Sequence, residues 1–207
     1  MPKSQFAPSR FQLVFATLAL LAALLVAGMA YYFAGPIQTA TGTGTALVGG
    51  PFSLTDQDGR KVTDKDFLGK YMLVFFGYTY CPDICPTELQ VMSAALDNLG
   101  AKADEIQPIF ITFDPQRDTP EVLKQYITNF HPRLIALTGT PEEIAVAAKA
   151  YRVFYSKIEN SSAPDTYLMD HSTITYLMDR EGKFLKHFSY STDAAALAQA
   201  LEKAIAP

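Results

Sequence analysis

The sequence predicts an α/β domain with a central mixed sheet and helices on both faces, carried behind an N-terminal transmembrane helix. Strand-like and helix-like segments alternate through the first half of the domain, and a hairpin pattern followed by one more helix closes the chain. Ahead of the domain, the stretch from Phe11 to Phe33 contains no charged residue.

That stretch comes first in the chain. A helix of roughly 20 apolar residues crosses a bilayer core of about 30 Å. Lys3 and Arg10 precede it and no acidic residue does, so residues 1–10 are expected to stay cytoplasmic. Tyr31, Tyr32 and Phe33 suit the far interface. A cleaved signal peptide is the rival reading, since Gly28-Met29-Ala30 has small residues that a signal peptidase accepts. The apolar run exceeds the roughly 7–15 residues of a signal core, which favours the anchor over 11–33. No Arg-rich, Ser-rich transit peptide stands upstream, so the expected place is a bacterial inner membrane with the domain in the periplasm.

Residues 34–48 read as a flexible linker, because Gly35-Pro36 and Thr41-Gly42-Thr43-Gly44-Thr45 cannot bury enough surface to order themselves. The folded domain is placed at 49–207. Residues 52–62 predict a hairpin turning at Asp58-Gly59. Residues 71–76 form an unbroken apolar run, as in a strand covered on both faces. A helix over 87–99 follows from Leu89, Met92, Ala95, Leu96 and Leu99, with Gly100 as its stop. Residues 107–113 predict a strand, and Asp118-Thr119-Pro120 predicts the capped start of a helix running to 130. A short strand over 134–138, a helix from Thr140-Pro141 to about 151, and an edge element over 153–158 come next. Residues 160–166 read as a polar loop. Strands over 172–178 and 184–189 flank the turn 179–183, and a helix over 193–206 ends the chain.

The net charge of −4 is mild and the basic residues are scattered, which excludes a nucleic-acid surface. The chemistry lies elsewhere. The chain has two cysteines, and both stand in Phe75-Phe76-Gly77-Tyr78-Thr79-Tyr80-Cys81-Pro82-Asp83-Ile84-Cys85-Pro86. A strand ends and a helix begins there, so backbone N–H groups and the helix dipole favour thiolates. Residues four apart on one turn bring both sulfurs to one ion, and two thiolates select Cu(I) or zinc over hard cations. Two sulfurs leave a metal undercoordinated. Of the three histidines, His131 sits at a helix end before Pro132, and His187 lies on an alternating strand facing solvent. His171, in Leu168-Met169-Asp170-His171-Ser172, stands at the rim of an apolar strand and is the best-placed third ligand. Asp170 is a candidate to orient it, or else to bond local backbone. Met169 reads as packing, with a soft axial ligand as the alternative.

Three segments together resemble the Sco/SenC family: Gly77-Tyr78-Thr79-Tyr80-Cys81-Pro82-Asp83-Ile84-Cys85-Pro86-Thr87-Glu88-Leu89, Phe113-Asp114-Pro115-Gln116-Arg117-Asp118-Thr119-Pro120 and Met169-Asp170-His171-Ser172-Thr173. Gln116 stands where many relatives carry an acidic residue. The resemblance implies a membrane-tethered, thioredoxin-like domain over about 49–207. It implies copper as the metal, Cu(I) or Cu(II), with Cys81, Cys85 and His171 as ligands. It further implies a metallochaperone rather than an enzyme, serving the copper A centre of cytochrome c oxidase subunit II, with other periplasmic copper carriers as further partners.

Other readings of the cysteines stand beside it. A purely structural disulfide across so short a loop gains little, because the entropic benefit grows with loop length. A thiol–disulfide oxidoreductase that reduces the acceptor's cysteines normally has two residues between its own, whereas three separate Cys81 from Cys85. An oxidised pair and copper binding exclude each other, which also admits a redox or copper sensor. A peroxidase is disfavoured, because Tyr78 occupies the place of the Thr or Ser three residues before a peroxiredoxin's reactive cysteine.

Overall fold

The computed structural model describes residues 10–33, 48–158 and 167–205. Residues 1–9 of the expected cytoplasmic tail (1–10), residues 34–47 of the expected linker (34–48) and the polar loop over 160–166 lie outside the described residues. The chain divides into two compact units, Met1–Gly44 and Thr45–Pro207.

The first unit contains helix α1, Arg10–Phe33, of 24 residues. At 1.5 Å per residue it is about 36 Å long. The Thr17 hydroxyl donates to the Val14 carbonyl at 2.9 Å, so its polar group is satisfied within the helix. Among the described residues no helix is long and apolar enough to cross a membrane. The side chains of residues 12 and 30–33 fall outside that set, so the span rests on the sequence.

In the second unit, β1 (Ser53–Asp56) and β2 (Lys61–Thr63) form the expected hairpin. Its turn needs a left-handed residue, which Gly59 supplies at φ +80°. The Asp56 carboxylate accepts from the Asp58 and Arg60 N–H groups at 2.9 Å, closing the turn. Strand β3 (Tyr71–Gly77) is buried beyond its first residue. It pairs in parallel with β4 (Ile106–Thr112), which pairs in parallel with β5 (Ile135–Thr138). Strands β8 (Ile174–Met178) and β9 (Phe184–Ser189) add antiparallel on the other side of β3. The result is a mixed seven-stranded sheet in the order β2-β1-β5-β4-β3-β8-β9.

Helix α2 (Ile84–Leu99) buries Leu89, Met92, Ala95, Leu96 and Leu99, as its period predicts. It begins three residues before the expected Thr87, because a proline in the first turn gives up only an N–H that has no helical partner. Helix α3 (Pro120–Tyr126) is shorter than the expected run to 130 and tightens into a 3-10 turn over Ile127–Asn129. Pro132 disfavours helical backbone at His131, and the Thr128 and Asn129 side chains bond the Gln125 and Tyr126 carbonyls. Helix α4 (Pro141–Ala150) starts with a capping box in which Thr140 and Glu143 satisfy each other's backbone N–H. Helix α5 (Ala194–Ile205) packs along α2.

Helix α2 lies on the sheet face of Gly77, and the opposite face carries Phe76, whose ring meets Tyr151 just after α4 at 5.3 Å. The core is therefore covered on both sides. The edge element appears as β6 (Tyr155–Ile158), but it does not extend the main sheet. It pairs with β7 (Leu168–His171) as a separate hairpin. His171 thus ends a strand of its own instead of leading into β8.

Candidate metal centre

Strand β3 ends at Gly77, and the chain turns through Tyr78–Cys81 with the Cys81 N–H on the Tyr78 carbonyl at 3.3 Å. Cys85 stands in the first turn of α2, completely buried, and its backbone N–H donates to Cys81 Sγ at 3.3 Å. The cysteines are therefore held by a turn and a helix start, not by one helical face. Gly77 is required for the approach: a Cβ there would lie 2.8 Å from both Cys85 Sγ and Phe110 Cε2.

A buried carboxylate ties this loop down. Asp118 accepts from the Thr79 N–H at 3.0 Å, from the Thr79 hydroxyl and from the Thr112 hydroxyl. Burial pushes its pKa up, and those donors only partly offset the shift. The sequence places Asp118 at the helix cap, but Thr119 caps α3 by accepting from the Val122 N–H. Asp118 instead joins the cysteine loop to the end of β4, a role visible only once three segments meet.

His171 reaches the sulfurs from the β6–β7 hairpin. Its Nδ1 lies 3.0 Å from the Ser172 carbonyl, which can only accept, so Nδ1 carries a proton and Nε2 is the nitrogen that faces the sulfurs. Nε2 is 3.9 Å from Cys85 Sγ. The Phe113 ring at 4.8 Å and the Tyr78 ring, edge-on at 6.0 Å, hold the imidazole. Asp170, the expected orienting partner, is exposed, and Ser172 does that work through its backbone. His131 instead accepts from the Arg133 N–H beside Asp97, and His187 is exposed against Phe184.

The donor atoms of Cys81, Cys85 and His171 all lie within 4.8 Å of one another. A three-coordinate ion with bonds of about 2.0–2.3 Å wants donors about 3.5–4 Å apart. The 3.9 Å edge already meets that, and closing the rest needs shifts of only some tenths of an ångström. Two sulfurs and an imidazole fit a soft or borderline ion, not Mg²⁺ or Ca²⁺.

The electrostatics suit cation capture. The Cys85 thiol donates to Cys81 and brings the Cys81 pKa down to about 4; burial opposes this, while His171 and nearby backbone N–H groups assist. Cys85 is pushed up by holding that shared proton, by its burial and by the Cys81 charge. Burial works against a charged His171, yet the Cys81 sulfur and the Ser172 carbonyl outweigh it and raise its pKa. The two thiols thus hold one proton between them, and the negative charge sits on the more accessible sulfur.

Three further residues brace the rim. Arg117 Nε donates to Asp114 at 2.5 Å, Nη1 donates to the Tyr167 carbonyl at 3.0 Å, and the guanidinium lies 3.6 Å over the Tyr167 ring. The Tyr167 hydroxyl returns to Asp114 at 2.6 Å. This ties the hairpin carrying His171 to the segment after β4. Tyr80 is 59% exposed, and its ring lies 4.5 Å from the Arg117 guanidinium. Asp83 is exposed, as its place between the cysteines suggests. Glu88 was not legible as special: it is buried one turn below Cys85, with one oxygen accepting from Thr175 and the other without a partner.

Comparison with known proteins agrees with this geometry. The family model described as SCO1/SenC matches residues 40–206. The chain is 42% identical over 170 residues to the mitochondrial SCO1 homolog 1 of Arabidopsis thaliana, covering 82% of this chain and 50% of that protein. It is 47% identical over 160 residues to the sco1 protein of Schizosaccharomyces pombe, covering 76% and 61%. It therefore spans about half to three fifths of those relatives' length. The structure of Bradyrhizobium japonicum ScoI with copper bound superposes with a TM-score of 0.70 at 46% identity, over 75% of this chain and 98% of that one. On the family match over residues 40–206 and these identities, the chain belongs to the SCO1/SenC family.

Proposed function

We propose that this protein is a membrane-anchored copper metallochaperone that supplies, or prepares, the copper A centre of cytochrome c oxidase subunit II. One observation carries the reading: two sulfurs and one imidazole nitrogen converge within 4.8 Å. The copper-bound state of the Bradyrhizobium relative supports the choice of metal. Cys81, Cys85 and His171 are the ligands. Binding of Cu(I) displaces the proton left on the cysteine pair and any proton on His171 Nε2, and the neutral imidazole then adds the third donor. A three-ligand site stays open, so an acceptor thiolate can attack the ion and exchange ligands stepwise, with no small substrate turned over. The anchor over 11–33 keeps the periplasmic domain near an inner-membrane oxidase and raises its effective concentration there. Subunit II is the acceptor, and periplasmic copper carriers are the donors.

The reading is tested by Cu(I)-chelator competition on the whole chain, reduced and oxidised. The reduced protein is expected to retain copper and the oxidised protein to release it. His171→Ala should weaken retention by at least about tenfold, the scale for losing a metal-site contact. Equal copper retention in both redox states, together with brisk disulfide reduction, would sink the chaperone reading. The pKa contrast between Cys81 and Cys85 supports that second reading, a thiol–disulfide oxidoreductase acting on the acceptor's cysteines. In that case His171→Ala leaves disulfide exchange largely intact, because the Cys85 thiol remains the main support of the Cys81 thiolate.

A further inference from the structure

We infer that Met169 is a fourth, weakly held ligand for the copper cargo. This extends the copper reading above and rests on it. Along β7, Leu168 and Asp170 are exposed, whereas Met169 and His171 turn inward on the same face, two positions apart. The backbone there is pinned, since the Met169 N–H donates to the Tyr78 hydroxyl at 3.3 Å and the Tyr78 ring lies edge-on to His171. Met169 lines the cavity of about 280 Å³ that also contains Cys81 and His171, between Ile84 and Leu168.

Its burial sets it apart from the other methionines of the domain. Met72, Met92 and Met178 are sealed in the core at 1%, 1% and 0% exposure, where a thioether can only pack. Met169 is only half-buried: it packs in part on the core and also lines the opening beside Cys81 and His171. Opposite it on β6, Lys157 places its ammonium over the Tyr167 ring at 4.0 Å, away from the cavity. Among the described residues that line this cavity there is no lysine or arginine.

The chemistry favours a thioether at this place. Two thiolates and one Cu(I) already carry a net negative charge, so a further anionic donor would be repelled. A thioether is neutral, soft and free of protons, and it adds a bond without adding charge. Such a bond is weak, so it can fill the open face of a three-coordinate ion and yield it to an acceptor thiolate.

The test uses the full chain in detergent, with selenomethionine replacing all six methionines, loaded with Cu(I) under reducing conditions. Copper-edge X-ray absorption is expected to show two sulfurs, one imidazole nitrogen and one selenium at bonding distance. Met169→Leu should lose the selenium, keep the sulfurs and nitrogen, and bind Cu(I) about three- to tenfold more weakly in chelator competition. Copper on two sulfurs and a nitrogen without selenium would overturn the inference and leave the copper reading standing. A selenium signal that persists in Met169→Leu would also overturn it. Copper absent from Cys81, Cys85 and His171 would overturn both.

Discussion

At single positions, the site depends on residues chosen for what they omit or neutralise. Gly77 omits a side chain. Gly77→Ala would push a methyl group into Cys85 Sγ and Phe110, both at 2.8 Å, and overpacking a core commonly costs about 1–3 kcal/mol. A lower unfolding midpoint together with weaker Cu(I) retention is the expected result, because relief of the clash moves the sulfur. An unchanged Cu(I) affinity would show that the glycine matters only for packing. Glu88 is a carboxyl whose burial, only partly offset by the Thr175 hydroxyl, raises its pKa. A raised folded pKa gives stability that is full below the unfolded value and lost as pH rises through the folded one. Glu88→Gln keeps an acceptor for Thr175 and removes that titration. Its thermal midpoint should match the parent's at acid pH and exceed it toward neutral pH; parallel pH profiles would refute this. Cys81 runs the other way. Its depressed pKa of about 4 gives stability that is present above the unfolded thiol value and lost as pH falls toward 4.

At the level of elements, two pieces of secondary structure meet at the metal centre and a third holds them in place. Helix α2 was readable from its apolar period after the strand and the cysteine loop, but not its first turn, which starts at Ile84 and includes Cys85. The β6–β7 hairpin was only half readable. Its first strand showed as an edge segment, but 168–171 is too short, and its burial too shallow, to register as apolar alternation. What fixes that hairpin is Arg117, stacked on Tyr167 and paired with Asp114. Breaking a largely buried ion pair by removing one partner costs about 3 kcal/mol or more. Arg117→Ala should accordingly lower stability, speed amide exchange over 168–171 and weaken copper retention, while exchange in β3 and β4 follows only the global loss. Unchanged exchange in the hairpin would assign Arg117 to the surface alone.

At the level of the whole molecule, the chain divides into two compact units, Met1–Gly44 and Thr45–Pro207, and the proposed function assigns anchoring to the first and metal handling to the second. Residues 45–207 alone are expected to be water-soluble, to unfold at the midpoint seen for the domain in the full chain and to keep its Cu(I) affinity. The full chain should sediment with membranes. Aggregation of the shorter chain, or membrane association without residues 11–33, would count against this division. The sequence by itself determined the α/β alternation, the helix starts at Asp118-Thr119-Pro120 and Thr140-Pro141, the N-terminal helix and the paired cysteines, because each is written in local spacing, period or chemistry, and it made His171 the best placed of the three histidines. Only the tertiary structure decided that Asp118 binds the cysteine loop, that Ser172 and not Asp170 orients the imidazole, and that Met169 faces the metal cavity. Those facts depend on contacts between segments tens of residues apart, or on which face of a short strand turns inward. Sheet register and the packing of loops set such contacts, and neither leaves a periodic trace along the chain.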